Sequence, residues 1–144
     1  MKSKSHENQK DNYKILSKQL YFLLAFLTSA IGSAQIVNIP DAVFKTRLLD
    51  PLMGINTNAD NQIQVSEALA TTELSFYAGE ITSMVGIEAF TNLTSLQINE
   101  ATVLTSLNLS SLTNLHELSI HYGHVLTSLD ISNLANLESL SLSG

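Results

Sequence analysis

Residues 91–112 read TNLTSLQINEATVLTSLNLSSL, and residues 113–134 read TNLHELSIHYGHVLTSLDISNL. Twelve of the 22 positions are identical. A third copy opens at 135 with ANLESLSLSG, and the chain stops ten residues into it. Stepping back 22 places reaches 69–90, where Glu73-Leu74-Ser75-Phe76 answers Glu117-Leu118-Ser119-Ile120, Gly79 answers Gly123 and Phe90 answers Leu112. Self-similarity at a fixed period of this length is the signature of a stacked repeat array.

A finer beat runs inside the repeat. Apolar-x-apolar pairs fall at Leu74/Phe76, Val85/Ile87, Leu96/Ile98, Leu107/Leu109, Leu118/Ile120, Leu129/Ile131 and Leu140/Leu142, successive pairs lying 11 residues apart. Each pair has period 2 and predicts a short strand with both apolar side chains on one face. Two strands per 22 residues make one flattened coil. Phe90, Leu112 and Leu134, with Leu93, Leu115 and Leu137, are placed to fill the turns. The expected class is an α/β-type solenoid of three coils plus a partial fourth over 69–144.

These residues resemble the leucine-rich repeat. The pattern L-x-x-L-x-L is met at Leu93, Leu96, Ile98 and at Leu115, Leu118, Ile120, and Val103 and Val125 fit the next apolar position. The position that holds an asparagine ladder in the family carries Gly79, Ala101 and Gly123, which leaves the loop polar groups to water or to neighbouring main chain. The LTSLNLS and LTSLDIS stretches look like repeats of secreted and surface proteins of Bacteroidetes-type bacteria.

Upstream of the repeats the charge pattern changes. Five of the seven basic residues precede residue 20. Residues 20–32, LYFLLAFLTSAIG, are apolar and uncharged, and Gly32 and Ala34 sit at −3 and −1 of a small-residue cleavage site. A basic region, a 13-residue apolar run and this site predict a secretory signal over 1–34. The run is short for a bilayer span, which needs about 20 residues. The expectation is therefore export, to the medium or the cell surface, with no membrane span after cleavage. From residue 35 onward only Lys45 and Arg47 oppose eleven acids, a net charge of −9. That balance speaks against a partner recognised through nucleic-acid phosphates. The chain has no cysteine, which excludes disulfides, thiolate metal sites and cysteine catalysis.

Residues 35–68 are placed to lid the first coil, because a solenoid end exposes apolar surface. Pro40-Asp41 predicts a helix start, with Val43, Phe44, Leu48 and Leu49 as its apolar face and Pro51 as its stop. Ser66 reads as the N-cap of a short turn through Glu67-Ala68-Leu69. Between them, NTNADNQIQVSE aligns with a calcium-binding EF-hand loop, placing Asn56, Asn58, Asp60 and Glu67 at ligand positions 1, 3, 5 and 12. Position 1 is Asn rather than Asp, and position 6 is Asn61 rather than Gly, so two carboxylates remain. Two readings stand: a metal-free helical cap, which the caps of internalin-like proteins resemble, or a weak calcium site. No other cofactor is implied.

No catalytic motif is present. Ser106/Ser128 and Ser110/Ser132 recur with the repeat, as a surface pattern does, and no G-x-S-x-G or phosphate loop occurs. The expectation is a non-enzymatic protein. His116, His121 and His124 fall within nine residues, and His121 and His124 could share zinc or copper with a third ligand. The alternative is a set of exposed loop histidines in one coil. The outward strand positions are small, polar and mildly acidic. Tyr77, Gln97, Asn99, Glu117, His121 and Tyr122 are the candidate ligand face, Tyr77 and His121 being equivalent positions two coils apart. The expected function is protein or glycan binding or adhesion at the cell surface. The alternative is a structural spacer or accessory region of a longer secreted protein or enzyme. The unpaired last strand also suggests end-to-end self-association.

Overall fold

The computed structural model describes residues 35–144; the segment read as a secretory signal, 1–34, lies outside the described residues. Leucine spacing becomes architecture through strand pairing. Strands β1 (Glu73–Tyr77), β2 (Ser95–Asn99), β4 (Glu117–His121) and β6 (Ser139–Ser143) form a parallel four-stranded sheet in that order, and β3 (Ser106–Asn108) and β5 (Ser128–Asp130) form a second, two-stranded one. The register is one repeat: Leu74 pairs with Leu96, Leu96 with Leu118 and Leu118 with Leu140. Like side chains therefore stack on like, about 4.8 Å apart. Leu74, Leu96 and Leu118 make one buried column, and Phe76, Ile98 and Ile120 a second. The molecule is a β-solenoid of about three turns, with a small helical N-terminal part, as the repeat predicts.

The turns close on the leucines assigned to them. Phe90, Leu93, Leu112 and Leu115 are fully buried, and Leu134 nearly so. After β1 and β2 the main chain satisfies itself: Ala78 N–H donates to Asn99 O at 2.7 Å and Ala101 N–H to His121 O at 3.2 Å. A polar ladder does exist, at a different position from the one the family pattern points to. Asn92, Asn114 and Asn136 each donate from Nδ2 to the preceding coil, onto the carbonyls of Leu69, Thr91 and Thr113 at 2.8, 2.9 and 2.8 Å.

Two expectations for the repeats are corrected. Val85/Ile87 does not form a strand. Ile87–Ala89 is a 3₁₀ turn preceded by Gly86 at φ 107°. The reason is crowding by the cap: a Cβ on Gly86 would lie 2.6 Å from Ile39 Cγ1 and 2.9 Å from Asn38 O. The second column thus begins one coil late, at β3. Val103 is exposed, and Leu104 beside it is fully buried in its place. At the equivalent step Val125 and Leu126 are both half-buried, Leu126 packing on the core.

The cap is built from helices α1 (Ala42–Leu48) and α2 (Val65–Ala70) with a 3₁₀ turn at Pro51–Met53. Asp41, rather than Pro40, sets the start of α1: its Oδ1 accepts from Val43 and Phe44 N–H at 3.0 and 2.9 Å. Phe44 and Leu48 are buried, and Val43 and Leu49 pack partly against the same core. Ser66 is not an N-cap. Helix α2 begins two residues earlier than that cap would place it, capped by Gln64, and Glu67 Oε2 accepts the Gln64 N–H at 3.0 Å. The chain at 35–37 is tied to 63–65 through Val37 N–H to Ile63 O and Val65 N–H to Gln35 O, at 2.8 and 2.7 Å. Phe44 meets Phe76 of the first coil at a ring-centroid distance of 5.8 Å, which joins the two cores. Among the described residues no helix is long and apolar enough to cross a membrane.

Candidate functional site

Alternation along β1, β2 and β4 sends the leucines and isoleucines inward and every other residue outward. In-register stacking turns the outward residues into rows across the sheet. One row runs Glu73, Ser95, Glu117, Ser139, and the next runs Ser75, Gln97, Ser119, Ser141. The last follows Tyr77, Asn99, His121, Ser143 at the ends where the strands leave the sheet. Four of the six candidate residues, Tyr77, Gln97, Asn99 and His121, thus share two adjacent rows. Glu117 stands at the other end of β4. Tyr122 lies just past β4, beside His121.

The polar groups of this face hold one another. Ser75 Oγ donates to Gln97 Oε1 at 3.2 Å, Gln97 Nε2 to Asn99 Oδ1 at 3.4 Å, and Ser95 Oγ to Glu117 Oε2 at 3.5 Å. His121 is bracketed by hydroxyls, with Ser119 Oγ 2.9 Å from Nε2 and Ser143 Oγ 3.0 Å from Nδ1. Tyr77 and Tyr122, by contrast, stand 61% and 63% exposed. Tyr122 and Glu100 have φ 56° and occupy equivalent repeat positions. Side chains other than glycine seldom adopt that left-handed geometry.

The Ser119–His121 contact is the nearest approach to a catalytic pair on this face. A triad needs an acid on the second imidazole nitrogen to orient the base. Here that nitrogen meets the Ser143 hydroxyl. The three histidines do not gather into a metal centre. His116 and His121 stand five residues apart, about 16 Å along extended chain, and His116 Nδ1 is occupied by Asn114 O at 2.7 Å. Among the described residues no three His, Cys, Asp or Glu side chains converge.

The EF-hand-like loop uses its carboxylates internally. Glu67, 7% exposed, accepts Thr57 N–H and Thr57 Oγ1 on Oε1 at 2.7 and 2.9 Å, and Gln64 N–H on Oε2. Burial pushes its pKa up, but donation from Gln64, Thr57 and Asn58 outweighs burial and leaves it below the usual value. Asp60 is lowered by the Gln62 N–H first, then by the Gln64 side chain, and it also accepts from Asn58 Nδ2. Asn56 Oδ1 is buried without a hydrogen-bond partner. Glu67 is thus held by N–H and O–H donors from the chain itself.

A link between cap and repeats through Asp41 was not legible in the sequence. While Asp41 Oδ1 caps α1, its Oδ2 accepts Thr82 N–H, Thr82 Oγ1 and Ser83 N–H at 2.9, 2.8 and 3.1 Å. Its partial burial raises the pKa, and the donors from Phe44, Thr82 and Ser83 overcome that and bring it to about 2.

Among solved structures, the chain is similar to an internalin, InlF, from Listeria monocytogenes, at 26% identity and a TM-score of 0.51, over 76% of this chain and 32% of that one. The functional domain of InlJ from Listeria monocytogenes, which includes a cysteine ladder, aligns at 23% identity and a TM-score of 0.37, over 74% of this chain and 32% of that one. The structure of CBM51-2 in complex with GlcNAc and INT domains from Clostridium perfringens ZmpB aligns at 20% and 0.47, over 63% and 18%. The chain therefore spans a third or less of the length of each. No family model matches it, and no curated protein does. The likeness to the internalin agrees with the solenoid architecture derived from the register.

Proposed function

We propose that the chain is an exported, non-catalytic recognition module that binds a protein or glycan outside the cell through the outer face of the four-stranded sheet. One observation carries this reading. The outward residues form a continuous, cross-bonded polar surface that ends in two exposed tyrosines. A rigid sheet holds these groups in fixed positions, so ordering them costs little on binding. The apolar run 20–32 and its small-residue site support export, and the likeness to a Listeria internalin supports a binding repeat. The alternative of a spacer or accessory region in a longer protein draws on the 32% share of the internalin that the chain spans.

The test is a printed panel of purified polysaccharides and extracellular proteins probed with the full chain. Saturable binding is expected to at least one component. It should be abolished by Gln97→Arg, which blocks the centre of the face, and unchanged by Ser132→Arg, which lies after β5 on the other column. Binding that both variants retain, or no binding at all, would remove the proposal.

A further inference from the structure

Resting on that recognition reading, we infer that the strand-exit row Tyr77–Asn99–His121, together with Glu100 and Tyr122, is a subsite for an uncharged glycan lying across the strands. The chemistry of the row favours a sugar over a protein surface. Tight protein interfaces concentrate Trp, Tyr and Arg around a desolvated apolar centre. From residue 35 onward the chain has no Trp, and its single Arg, Arg47, is in α1. The outward rows of the sheet consist of hydroxyl, amide, imidazole, carboxylate and phenol groups. A sugar ring presents hydroxyls at its edge and C–H groups on its face. The first need fixed donors and acceptors, and the second pack on an exposed aromatic ring.

Both needs are met in one line. Tyr77 and Tyr122 are the only tyrosines from residue 35 onward. Tyr77 ends β1 and Tyr122 follows β4, two strands away in the sheet. Two strand spacings separate them by about 10 Å, a length on the order of a disaccharide. Between them stand Asn99 at the end of β2 and Glu100, whose Oε2 lies 3.8 Å from where a Cβ on Gly79 would be, beside the Tyr77 end of β1. The line therefore reads aromatic, amide, carboxylate, imidazole, aromatic. Tyr122, like Glu100 one coil before it, is held at φ 56°, where glycine would sit without a Cβ penalty. Charge decides the class of glycan. Glu100 lies beside the row, Glu73 and Glu117 lie on the same sheet, and no Lys or Arg follows residue 47. A polyanionic glycan would meet carboxylates without a counter-charge.

The experiment titrates the full chain with cellohexaose, maltohexaose and mannohexaose, and with a heparin octasaccharide as the polyanion. It follows tyrosine fluorescence and calorimetric heat. At least one neutral hexasaccharide should bind and change the fluorescence. Tyr77→Ser and Tyr122→Gly should each weaken that binding tenfold or more, and the double variant should lose the fluorescence change. Tyr77→Phe, which keeps the ring, should bind within about twofold of the parent. Folding is controlled within the design. Serine already occupies the equivalent of Tyr77 at Ser143, and glycine suits the backbone at 122, so neither variant should lower the melting temperature. Neutral-sugar binding that survives in the double variant would overturn the inference, and so would binding of heparin alone. If no sugar binds while a panel protein binds in a Gln97→Arg-sensitive way, the glycan inference falls and the recognition module stands. If nothing binds the face, both fall.

Discussion

Asp41 joins two parts of the molecule with one carboxylate. Oδ1 closes the first turn of α1, and Oδ2 takes three donors from the loop at Thr82 and Ser83. Asn caps helices about as well as Asp, but its amide nitrogen would face two N–H donors. Asp41→Asn should therefore leave α1 capped and still destabilise the fold by about 1–2 kcal/mol, measured by urea unfolding. The folded pKa of about 2 lies below the ordinary carboxylate value, so the contribution of Asp41 is fully present above pH 4 and is lost as the pH falls towards 2. The parent should lose stability across that window, and Asp41→Asn should lose less. Glu67 leads to a second prediction at this scale. Its oxygens are held by Thr57 and Gln64, so calorimetric titration with calcium should show no binding tighter than millimolar. Sensor-class loops bind at about 10⁻⁷–10⁻⁵ M. Micromolar affinity would mean that Asn56, Asn58, Asp60 and Glu67 rearrange into ligands. Spacing alone leaves the metal-free cap and the weak calcium site both open, because the sequence shows which carboxylates exist but not which N–H groups point at them.

At the scale of elements, each coil is stabilised by its neighbours. Asn114 Nδ2 reaches back to Thr91 O, so Asn114→Ala removes one bond between coils and should cost about 1 kcal/mol, read from the thermal midpoint. The last strand, β6, pairs only with β4, and Leu140 and Leu142 are 47% and 54% exposed. Amides of 139–143 should exchange far faster than those of 95–99, which lie between two strands. Equal protection in a dilute monomer would mean that something covers this edge. Strand positions were legible because side-chain alternation and the 22-residue repeat agree at Leu96, Leu107, Leu118 and Leu129. The second strand of the first coil was misread because Val85 and Ile87 carry the right alternation. The approach of Ile39 to Gly86 comes from 47 residues away in sequence, which alternation cannot register. The asparagine ladder was legible in principle, since Asn92, Asn114 and Asn136 recur at the repeat spacing. The family pattern points instead to the position after the strand, which holds Gly79, Ala101 and Gly123.

At the scale of the whole molecule, the repeat that buries leucine on one side of a sheet also arrays polar groups on the other. The candidate face is thus a by-product of the core, and its membership could be read from the period. Its internal bonding could not, because the pairing of Ser119 and Ser143 with His121 depends on rotamers rather than on spacing. On the proposed reading, ligand binding belongs to this outer face and not to the two-stranded side. The most direct measurement is amide hydrogen exchange of the full chain with and without whichever panel glycan or protein binds it. Ligand-dependent protection is expected at 75–77, 97–100 and 119–122, with 106–110 and 128–132 unchanged. Protection confined to 106–110 and 128–132 would contradict that reading.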